Sequence, residues 1–382
     1  MHIAFLVPTL DRIAGAERQV CLLAIGLKRR GHCITVIALS GTGSDTSGEL
    51  MRLGIGFRSL GMRKGLADPR GWLRLHRWLL REAPDVLHAH LPHAAWMARW
   101  SRLFAHIPVV VDTIHTSSTG GSGRTLGYRC SNWFTDAVTA VSQSVADAYL
   151  HDGMVSAARL HILPNGVETN QEPSKPEIRE RLRCEVGCKN HFLWLAAGRL
   201  ETVKDYPTLL RAITLLSKQA RLVIAGNGFH EQELRALAVE LRLQPRVHFL
   251  GFVADLKHWM QAADGFVLSS LWEGLPMGLL EAAACSLPAV ATDVPGSRDA
   301  LTDGCSGFLA PPRNPIALAA AMAKLMQMSP QDRAAMGAEA HRRVNLGFSL
   351  ESVLDRWERL YTDLLNAQFE RRGVGSQSKV LS

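Results

Sequence analysis

Short apolar runs alternate with longer amphipathic stretches along most of the chain. Residues 16–30 illustrate the second kind, because Val20, Leu23 and Leu27 recur at helical spacing and Gly31 follows the last turn. Alternating strands and helices are typical of parallel sheets covered by helices. In the first half the pattern predicts strands at 3–7, 33–39, 86–89, 109–113 and 137–141, and helices at 16–30, 69–82, 92–105 and 142–150.

The alternation is interrupted at about 168–190, a polar stretch with Pro173 and Pro176, and then starts again. Two Rossmann-like halves of similar size imply a ligand cleft between them, facing the carboxyl ends of the strands. The second half is predicted to contain strands at 192–197, 222–225, 247–250, 266–269 and 289–292, and helices at 206–218, 231–241, 256–262, 277–285 and 315–328.

The length of 382 residues also favours two domains over one. The predicted fold class is therefore α/β, with two doubly wound domains, an interdomain cleft and a last helix at 350–365. The predicted division is an N-terminal domain at 1–170, a linker at 171–190, a C-terminal domain at 191–347, a final helical segment at 348–366 and a polar, disordered tail at 367–382.

Composition indicates a soluble globular enzyme, for which we expect a cytoplasmic location. No apolar run approaches the ~20 residues that a membrane-spanning helix needs, and residues 1–8 are predicted to form a first buried strand rather than a secretory leader. The seven cysteines are scattered. Cys184 and Cys188 lie near His191, but they lack a second ligand pair, so we expect incidental thiols rather than a zinc site.

The positive charge is concentrated in the first half of the chain. Residues 1–170 contain 18 Lys and Arg against 12 Asp and Glu, whereas the remainder contains 25 against 23. Nucleic acid, an anionic membrane face, an anionic substrate or solubility alone would each explain this excess.

Glu273 and Glu281 are the most informative pair of residues. An apolar strand leads into a Gly/Pro loop that contains Glu273, and a helix is predicted to begin near Met277, with Glu281 in its second turn. A helix start presents unpaired N–H groups and partial positive charge, which suit a phosphate. The two carboxylates would then flank the anion and accept hydrogen bonds from sugar hydroxyls. The pattern predicts a site for a nucleotide diphosphate with a sugar on each side.

Other polar and glycine residues follow neighbouring strands, where a doubly wound fold places its site. Arg199 offers a planar fork for diphosphate oxygens and Lys204 a point charge. Solvated surface charge is the alternative for these two cations, and helix-dipole compensation is the alternative for Glu281. The turns after the next two strands carry Gly226, Asn227 and Gly228, then Gly251 and Phe252, where backbone groups and a ring would take a base.

Eight short motifs together resemble the signature of the retaining glycosyltransferase family 4, which has the GT-B fold. The likeness extends from residue 1 to about 365. The motifs are Gly15-Ala16-Glu17, Asp85-Val86-Leu87-His88-Ala89-His90, Thr113-Ile114-His115, Ala140-Val141-Ser142, Pro164-Asn165-Gly166-Val167, Gly198-Arg199-Leu200 with Lys204-Asp205, Gly226-Asn227-Gly228, and Glu273-Gly274-Leu275-Pro276 with Glu281-Ala282.

The resemblance implies transfer of a sugar from a nucleotide donor, expected to be a UDP-sugar, to an acceptor hydroxyl with retention at the anomeric carbon. It implies that Glu281 holds the ribose and that the last helix crosses back to the first domain. The implied catalytic residues are His115, Glu273, Arg199 and Lys204, and the remaining implied donor-binding residues are Gly15, Gly198, Gly226, Asn227, Gly251, Phe252, Gly274, Leu275, Met277 and Gly278.

The chemistry needs no metal or other cofactor on the sequence evidence, since no Asp-x-Asp motif occurs. Preorganised cations and the helix start would stabilise the departing diphosphate. In retaining enzymes of this kind the leaving phosphate is expected to take the acceptor proton on the same face. A covalent route through Glu273 stays open.

A basic stripe on the predicted helix 69–82 indicates an anionic membrane surface as a partner, and the predicted helix 92–105 has a similar mixture of Trp and Arg. Ordinary sheet-covering helices are the alternative. With a membrane partner, the acceptor would be a lipid-linked saccharide of cell-surface polysaccharide or O-antigen assembly. The stripe consists of Arg70, Arg74, Arg77 and Arg81, and the second helix carries Trp96, Arg99, Trp100, Arg102 and Phe104.

Three histidines would lie near the acceptor unless they are core residues. They are His88, His90 and His93.

Four other functions compete with that of a transferase. A nucleotide-sugar-binding module without turnover and a GT-B epimerase or phosphorylase stay open as alternatives. A nucleic-acid binder lacks a recognised module. A dinucleotide oxidoreductase is excluded, because Gly226-Asn227-Gly228 has no third glycine after it. The sequence leaves the sugar, the acceptor and the linkage undefined.

Overall fold

The computed structural model describes residues 1–11, 15–63, 68–116, 122–170 and 175–377, without the side chains of 44–45, 122–124 and 372–377. The chain forms two compact units. The first comprises Met1–Gly166 together with the C-terminal segment from Leu350, and the second comprises Val167–Ser349.

The first unit is built on a parallel sheet of seven strands in the order β3-β2-β1-β4-β5-β6-β7. The strand order reverses direction between β1 and β4, which is where a doubly wound sheet opens a crevice. The strands are β1 (His2–Val7), β2 (Cys33–Ala38), β3 (Gly56–Ser59), β4 (Val86–His90), β5 (Val109–Ile114), β6 (Ala137–Ala140) and β7 (Leu160–Ile162). The helices are α1 (Gly15–Arg29), α2 (Ser44–Arg52), α3 (Pro69–Glu82), α4 (Pro92–Ser101), α5 (Ser122–Ser131), α6 (Gln143–His151) and the C-terminal helix (Leu350–Gln377).

The C-terminal helix is an integral part of the first unit. Its Trp357 and Tyr361 are buried in the same core as the strands. On its outer side, Arg30 forms ion pairs with Glu351 and Glu358 at 2.6 and 2.5 Å. The helix continues well beyond the predicted end at 365 and includes most of the predicted tail. Within this extension, the Gln368 side chain donates a hydrogen bond of 2.9 Å to Asp136, which attaches it to the first unit.

The second unit repeats the architecture with six parallel strands in the order β10-β9-β8-β11-β12-β13. Two doubly wound α/β units confirm the predicted fold class. The strands are β8 (Phe192–Ala197), β9 (Ala220–Ala225), β10 (Val247–Gly251), β11 (Gly265–Leu268), β12 (Ala289–Thr292) and β13 (Gly307–Ala310). The helices are α7 (Pro176–Glu185), α8 (Tyr206–Leu215), α9 (Glu231–Glu240), α10 (Leu256–Ala262), α11 (Met277–Ala284), α12 (Pro295–Ala300), α13 (Pro315–Gln327) and α14 (Pro330–Phe348).

Helix α7 lies within the stretch that was predicted to be a linker. Arg179 and Arg183 of this helix donate to the two carboxylate oxygens of Asp264 at 2.8 and 2.9 Å. These bonds attach the helix to the second unit, so the polar composition of this stretch reflects an ion-pair network rather than a connection. The edge strands β3, β7 and β13 were also missed, since such short strands lack a long apolar run.

The arginines of α4 point inward, contrary to the prediction of a basic membrane face on 92–105. Arg99 is fully buried and forms a bidentate pair with Asp112 at 2.9 and 3.0 Å. Its guanidinium also lies 4.6 Å from the centre of the Tyr128 ring. Arg102 donates to Asp136 and to the carbonyl oxygen of Pro108. Both cations therefore stabilise the unit internally.

We expect Arg99→Met to lower the free energy of unfolding by about 3–5 kcal/mol, because it leaves the Asp112 carboxylate buried without its cation. Replacing both partners by apolar residues (Arg99→Met with Asp112→Leu) should recover a large part of the loss. Urea titration measures both effects. The control is Arg77→Gln on the exposed face of α3, which should change stability by less than about 0.5 kcal/mol; an equally small effect of Arg99→Met would contradict the prediction.

Candidate active site

An ion pair between Lys204 and Glu273 joins two loops at the carboxyl edge of the second sheet. The Lys204 ammonium lies 2.6 Å from Oε1 of Glu273, and the hydroxyl of Ser270 donates to the same oxygen at 2.6 Å. Glu273 is in the loop between β11 and α11, whereas Lys204 ends a short 3₁₀ turn after β8. The structure therefore brings together two residues that are far apart in the sequence.

Two hydrogen bonds to backbone carbonyl oxygens fix these two loops against each other. Ser269 donates from its hydroxyl to the carbonyl oxygen of Lys204 at 2.7 Å, and the Leu271 N–H donates to the carbonyl oxygen of Val203 at 2.8 Å. The positions of the two charges thus do not depend on the charges alone. The roles of Ser269 and Ser270 were not predicted from the sequence, although two serines directly after an apolar strand are a usable signal.

The first turn of α11 is packed tightly on its surroundings. A Cβ on Gly278 would approach the Phe266 ring to 2.9 Å, and a Cβ on Gly296 would lie 2.6 Å from the carbonyl oxygen of Glu273. Leu275 is buried between these contacts. Because the first N–H groups of a helix have no intrahelical partner, this first turn is suited to bind an anion, and Glu273 lies four residues before its first residue, Met277.

The predicted glycines at the ends of β8, β9 and β10 lie together. The Gly226 N–H donates to the carbonyl oxygen of Gly251 at 2.7 Å, and a Cβ on Gly226 would lie only 2.0 Å from the carbonyl oxygen of Gly198. Gly226 also has a φ of +137°. Only glycine satisfies both constraints. The Asn227 carbonyl oxygen accepts a hydrogen bond from the Leu200 N–H at 3.0 Å, which joins the loop after β9 to the loop after β8.

The predicted site residues Arg199, Phe252 and Glu281 are all at least partly accessible to solvent. Arg199 is largely exposed and pairs with Glu201 at 2.8 Å. Phe252 is also exposed, directly after Gly251. Glu281 lies half-buried in the second turn of α11.

Tyr206 lies next to the ion pair and was not predicted from the sequence as a site residue. Its hydroxyl donates to the carbonyl oxygen of Gly198 at 3.2 Å. Burial raises the pKa of Tyr206 well above its ordinary value, and the negative charge of Glu273 adds to the increase. The hydroxyl therefore stays protonated and holds the Gly198 turn in place.

In the first unit, His88, His90 and His115 form a row at the carboxyl ends of β4 and β5. The ring centres of His88 and His90 are 4.2 Å apart, and those of His90 and His115 are 5.2 Å apart. His88 also contacts the Tyr361 hydroxyl and the Thr113 hydroxyl at 2.7 Å each. His88 and His90 are buried, as the core alternative expected, whereas His93 is exposed.

The contacts of His90 indicate which ring nitrogens carry the protons. Nδ1 of His90 lies 2.9 Å from Nε2 of His115, and Nε2 of His90 is buried without a partner among the residues that the structure describes. Burying an unprotonated ring nitrogen without a partner costs less free energy than burying an N–H without an acceptor. We therefore assign the proton to Nδ1 of His90, which donates to His115, and the remaining proton of His115 to its own Nδ1.

All three rings are held neutral. Burial lowers the pKa of His88 and His90 well below the ordinary value, and nearby histidine charges lower it further. Burial lowers the pKa of His115 to about 4. At neutral pH, His115 is therefore a neutral hydrogen-bond donor. Gly15, the other predicted site residue of this unit, begins α1 and is exposed, while the adjoining position 14 lies outside the described residues.

Within the ranges that the structure describes, neither a metal site nor a membrane-spanning helix is present. No group of three or more His, Cys, Asp or Glu side chains is arranged to hold a metal ion. No helix combines the length and the hydropathy that crossing a bilayer requires.

Family models of known proteins match both halves of the chain. The family model described as glycosyl transferases group 1 matches residues 179–343, and the model described as glycosyltransferase family 4 matches residues 13–171. The chain is 23% identical over 317 residues to the UDP-Gal:alpha-D-GlcNAc-diphosphoundecaprenol alpha-1,3-galactosyltransferase of Escherichia coli, covering 78% of this chain and 81% of that protein.

Two further similarities extend over nearly the whole chain. The phosphatidyl-myo-inositol mannosyltransferase of Mycobacterium leprae is 28% identical over 378 residues, covering 95% of this chain and 98% of that protein. The crystal structure of Anabaena HepE in complex with UDP-glucose superposes with a TM-score of 0.84 at 22% identity, covering 95% of this chain and all of that one. At this identity, the structural likeness shows the fold.

The histidine row makes a prediction about pH. Folding lowers the pKa of these histidines below the unfolded value of about 6.5, so their contribution to stability is present above that pH and is lost as the pH falls. We expect the free energy of unfolding of the first unit to decrease between about pH 7 and pH 5, by up to about 1.4 kcal/mol per pH unit for each neutral histidine.

Urea titration at several pH values, combined with hydrogen exchange of the β4 amides, measures this slope. His90→Phe removes one titrating ring and should make the slope shallower. His151→Asn is the matched control, because His151 is exposed, and should leave it unchanged. A slope that His90→Phe does not alter would contradict the prediction.

Proposed function

Given that this chain belongs to glycosyltransferase family 4, among the group 1 glycosyl transferases, we propose that it transfers a hexosyl or N-acetylhexosaminyl residue from a UDP-sugar to an acceptor hydroxyl, with retention at the anomeric carbon. The observation that carries this proposal is the Lys204–Glu273 pair, because Glu273 lies in the loop that leads into the start of α11. A uridine donor is supported by the Escherichia coli relative, named for UDP-Gal, and by HepE, solved with UDP-glucose.

The donor diphosphate binds between Lys204 and the first turn of α11 in this proposal. An ammonium group has three N–H donors, so Lys204 can keep its bond to Glu273 while it contacts a phosphate oxygen. Arg199 is exposed and leaves Glu201 to bind the diphosphate. Glu281 accepts hydrogen bonds from the ribose, and Phe252 contacts the base. Of the remaining predicted donor-site residues, Gly198, Gly226, Asn227 and Gly251 shape the turns, Gly274, Leu275, Met277 and Gly278 form the loop and helix start, and Gly15 approaches the phosphates.

The reaction needs charge stabilisation more than an acid or a base from the protein. The bond between the anomeric carbon and the phosphate oxygen breaks, the phosphate leaves with the electron pair, and Lys204, Arg199 and the helix tip stabilise the developing charge. The acceptor oxygen attacks from the same face and gives its proton to the departing phosphate. This step requires no metal.

The contacts of Glu273 favour a sugar-positioning role over a covalent one. Its Oε1 already accepts hydrogen bonds from Lys204 and Ser270, and hydrogen bonds to a carboxylate oxygen reduce its nucleophilicity. Glu273 therefore holds donor-sugar hydroxyls in this proposal. His115, as a neutral N–H donor near the reacting carbon, binds the sugar without adding a positive charge.

The acceptor that we propose is a lipid-linked saccharide of cell-surface polysaccharide biosynthesis, reached at the inner face of the cytoplasmic membrane. The support comes from two relatives, one named for a diphosphoundecaprenol substrate and the other for phosphatidyl-myo-inositol. Peripheral contact with the membrane follows from such an acceptor, because its lipid portion stays in the bilayer.

Nucleotide release from UDP-, GDP- and ADP-sugars tests the reaction. We expect release of UDP from one donor, dependent on added lipid-linked saccharide and unchanged by EDTA. Product analysis by NMR should show the anomeric configuration of the donor. Loss of release in EDTA that divalent cations restore would contradict the metal-independent mechanism, and donor binding without any release would favour a binding module.

Two single variants separate ribose binding from transition-state stabilisation. Glu281→Ala should raise the donor KM by one to two orders of magnitude, since it removes hydrogen bonds worth roughly 1–3 kcal/mol. Lys204→Met should lower kcat on the order of 10²–10³-fold, because it removes an electrostatic donor to the leaving group. Steady-state kinetics measures both, with Glu240→Ala on exposed α9 as the control. A normal kcat for Lys204→Met would place the diphosphate elsewhere.

A further inference from the structure

An apolar groove opens between α3 and the end of α4 in the first unit. It has a volume of about 830 Å³, and almost all of its lining is apolar. Three of the side chains that form it are strongly exposed: Phe104 by 64%, Leu103 by 54% and Leu73 by 48%. Trp72 and Trp100 form part of its walls. Large apolar side chains exposed together in this way indicate a binding surface.

The exposed side of α3 divides into an apolar strip and a basic strip. Leu75 and Leu79 face the core. Leu73 and Leu80 are exposed on the side next to the groove, and at helical spacing they adjoin the arginines of the stripe. Arg74 donates to the carbonyl oxygen of Leu60 and Arg81 pairs with Glu82, whereas Arg70 and Arg77 are exposed. No acidic residue occurs between positions 69 and 81.

Apolar side chains beside a row of cations match the hydrocarbon core and the neighbouring phosphate region of an anionic bilayer. Hydrocarbon chains suit the groove, and lipid phosphates suit the arginines at its border. A second copy of the chain is a poorer match, since a symmetric contact through this surface would bring the arginines of both copies into one interface without acidic partners from α3. A polar small molecule would find few hydrogen-bond partners in this lining.

We propose that the groove between α3 and the end of α4 takes a hydrocarbon chain of an anionic membrane lipid, while Arg70 and Arg77 contact the lipid phosphates. The surface differs from the one predicted from sequence, because α4 contributes its apolar end and no free arginine. This proposal deepens the proposed function by giving the enzyme a membrane site for a lipid-linked acceptor. It concerns lipid binding alone, and it can be tested without turnover.

Vesicle flotation of the full-length protein tests the groove. We expect binding to vesicles of phosphatidylcholine mixed with phosphatidylglycerol, and little binding to phosphatidylcholine alone. Arg70→Gln with Arg77→Gln should weaken binding on the order of tenfold or more, and added salt should weaken the wild type in the same way. Leu73→Ser with Phe104→Ser should weaken binding by a similar factor at every salt concentration.

The matched control lies on α8 of the second unit, where Arg211 and Leu215 are exposed four residues apart. Arg211→Gln with Leu215→Ser should bind vesicles like the wild type. Lipids brominated in the acyl chain report entry into the groove, because they should quench Trp fluorescence, and Trp100→Phe should reduce that quenching. Urea titration of each variant excludes unfolding as the cause.

Three results would overturn the proposal. The first is no binding to anionic vesicles, and the second is binding that the groove variants leave unchanged. The third is a dimer, detected by sedimentation and abolished by Phe104→Ser, in a protein that does not bind vesicles. Nucleotide release with a water-soluble acceptor separates this proposal from the proposed function. Groove variants should keep that release, so a loss of lipid binding with normal release concerns the groove alone. Lipid binding without any nucleotide release would instead contradict the proposed transferase function and would still support lipid binding in the groove.

Discussion

The common direction of the strands in each sheet is the constraint on which the candidate site depends. Parallel strands end at one edge, so the loops after β8 and β11 meet there, and Lys204 reaches Glu273 across them. The first unit obeys the same rule, since β4 and β5 lead to His90 and His115 at one edge. The apolar cores that hold the strands in register therefore also position the charges and the imidazole rings.

Preorganisation of the proposed donor site comes mainly from contacts of the backbone. The carbonyl oxygen of Lys204 accepts a bond from Ser269, and the turn of Gly226 packs on Gly198 so closely that no side chain fits. Loops held in this way need little rearrangement when a diphosphate binds. Such rigidity suits electrostatic stabilisation of a leaving group, because dipoles that are already oriented cost no reorganisation during the reaction.

The C-terminal helix couples the histidine row to the end of the chain. Tyr361 contacts His88, and Trp357 stacks near the same ring at 4.5 Å. These contacts cover His88, and its burial holds the pKa of that imidazole well below the ordinary value. A neutral His115 would serve a donor sugar better than an imidazolium would, because no positive charge then competes for the departing phosphate. The C-terminal helix thereby contributes to the neutral state of His88, at one end of the row.

Local spacing along the chain was enough to predict the alternation of strands and helices, the paired glutamates at the start of α11 and the glycines of the turns. It did not determine which charges are free. Arg99 and Arg77 occupy similar helices in the sequence, yet Arg99 is buried against Asp112 and Arg77 is exposed. Helical spacing tells which residues share a face, whereas only tertiary packing decides what covers that face. The Lys204–Glu273 pair and the groove beside Phe104 likewise exist only in the folded chain, since they join segments that the sequence separates.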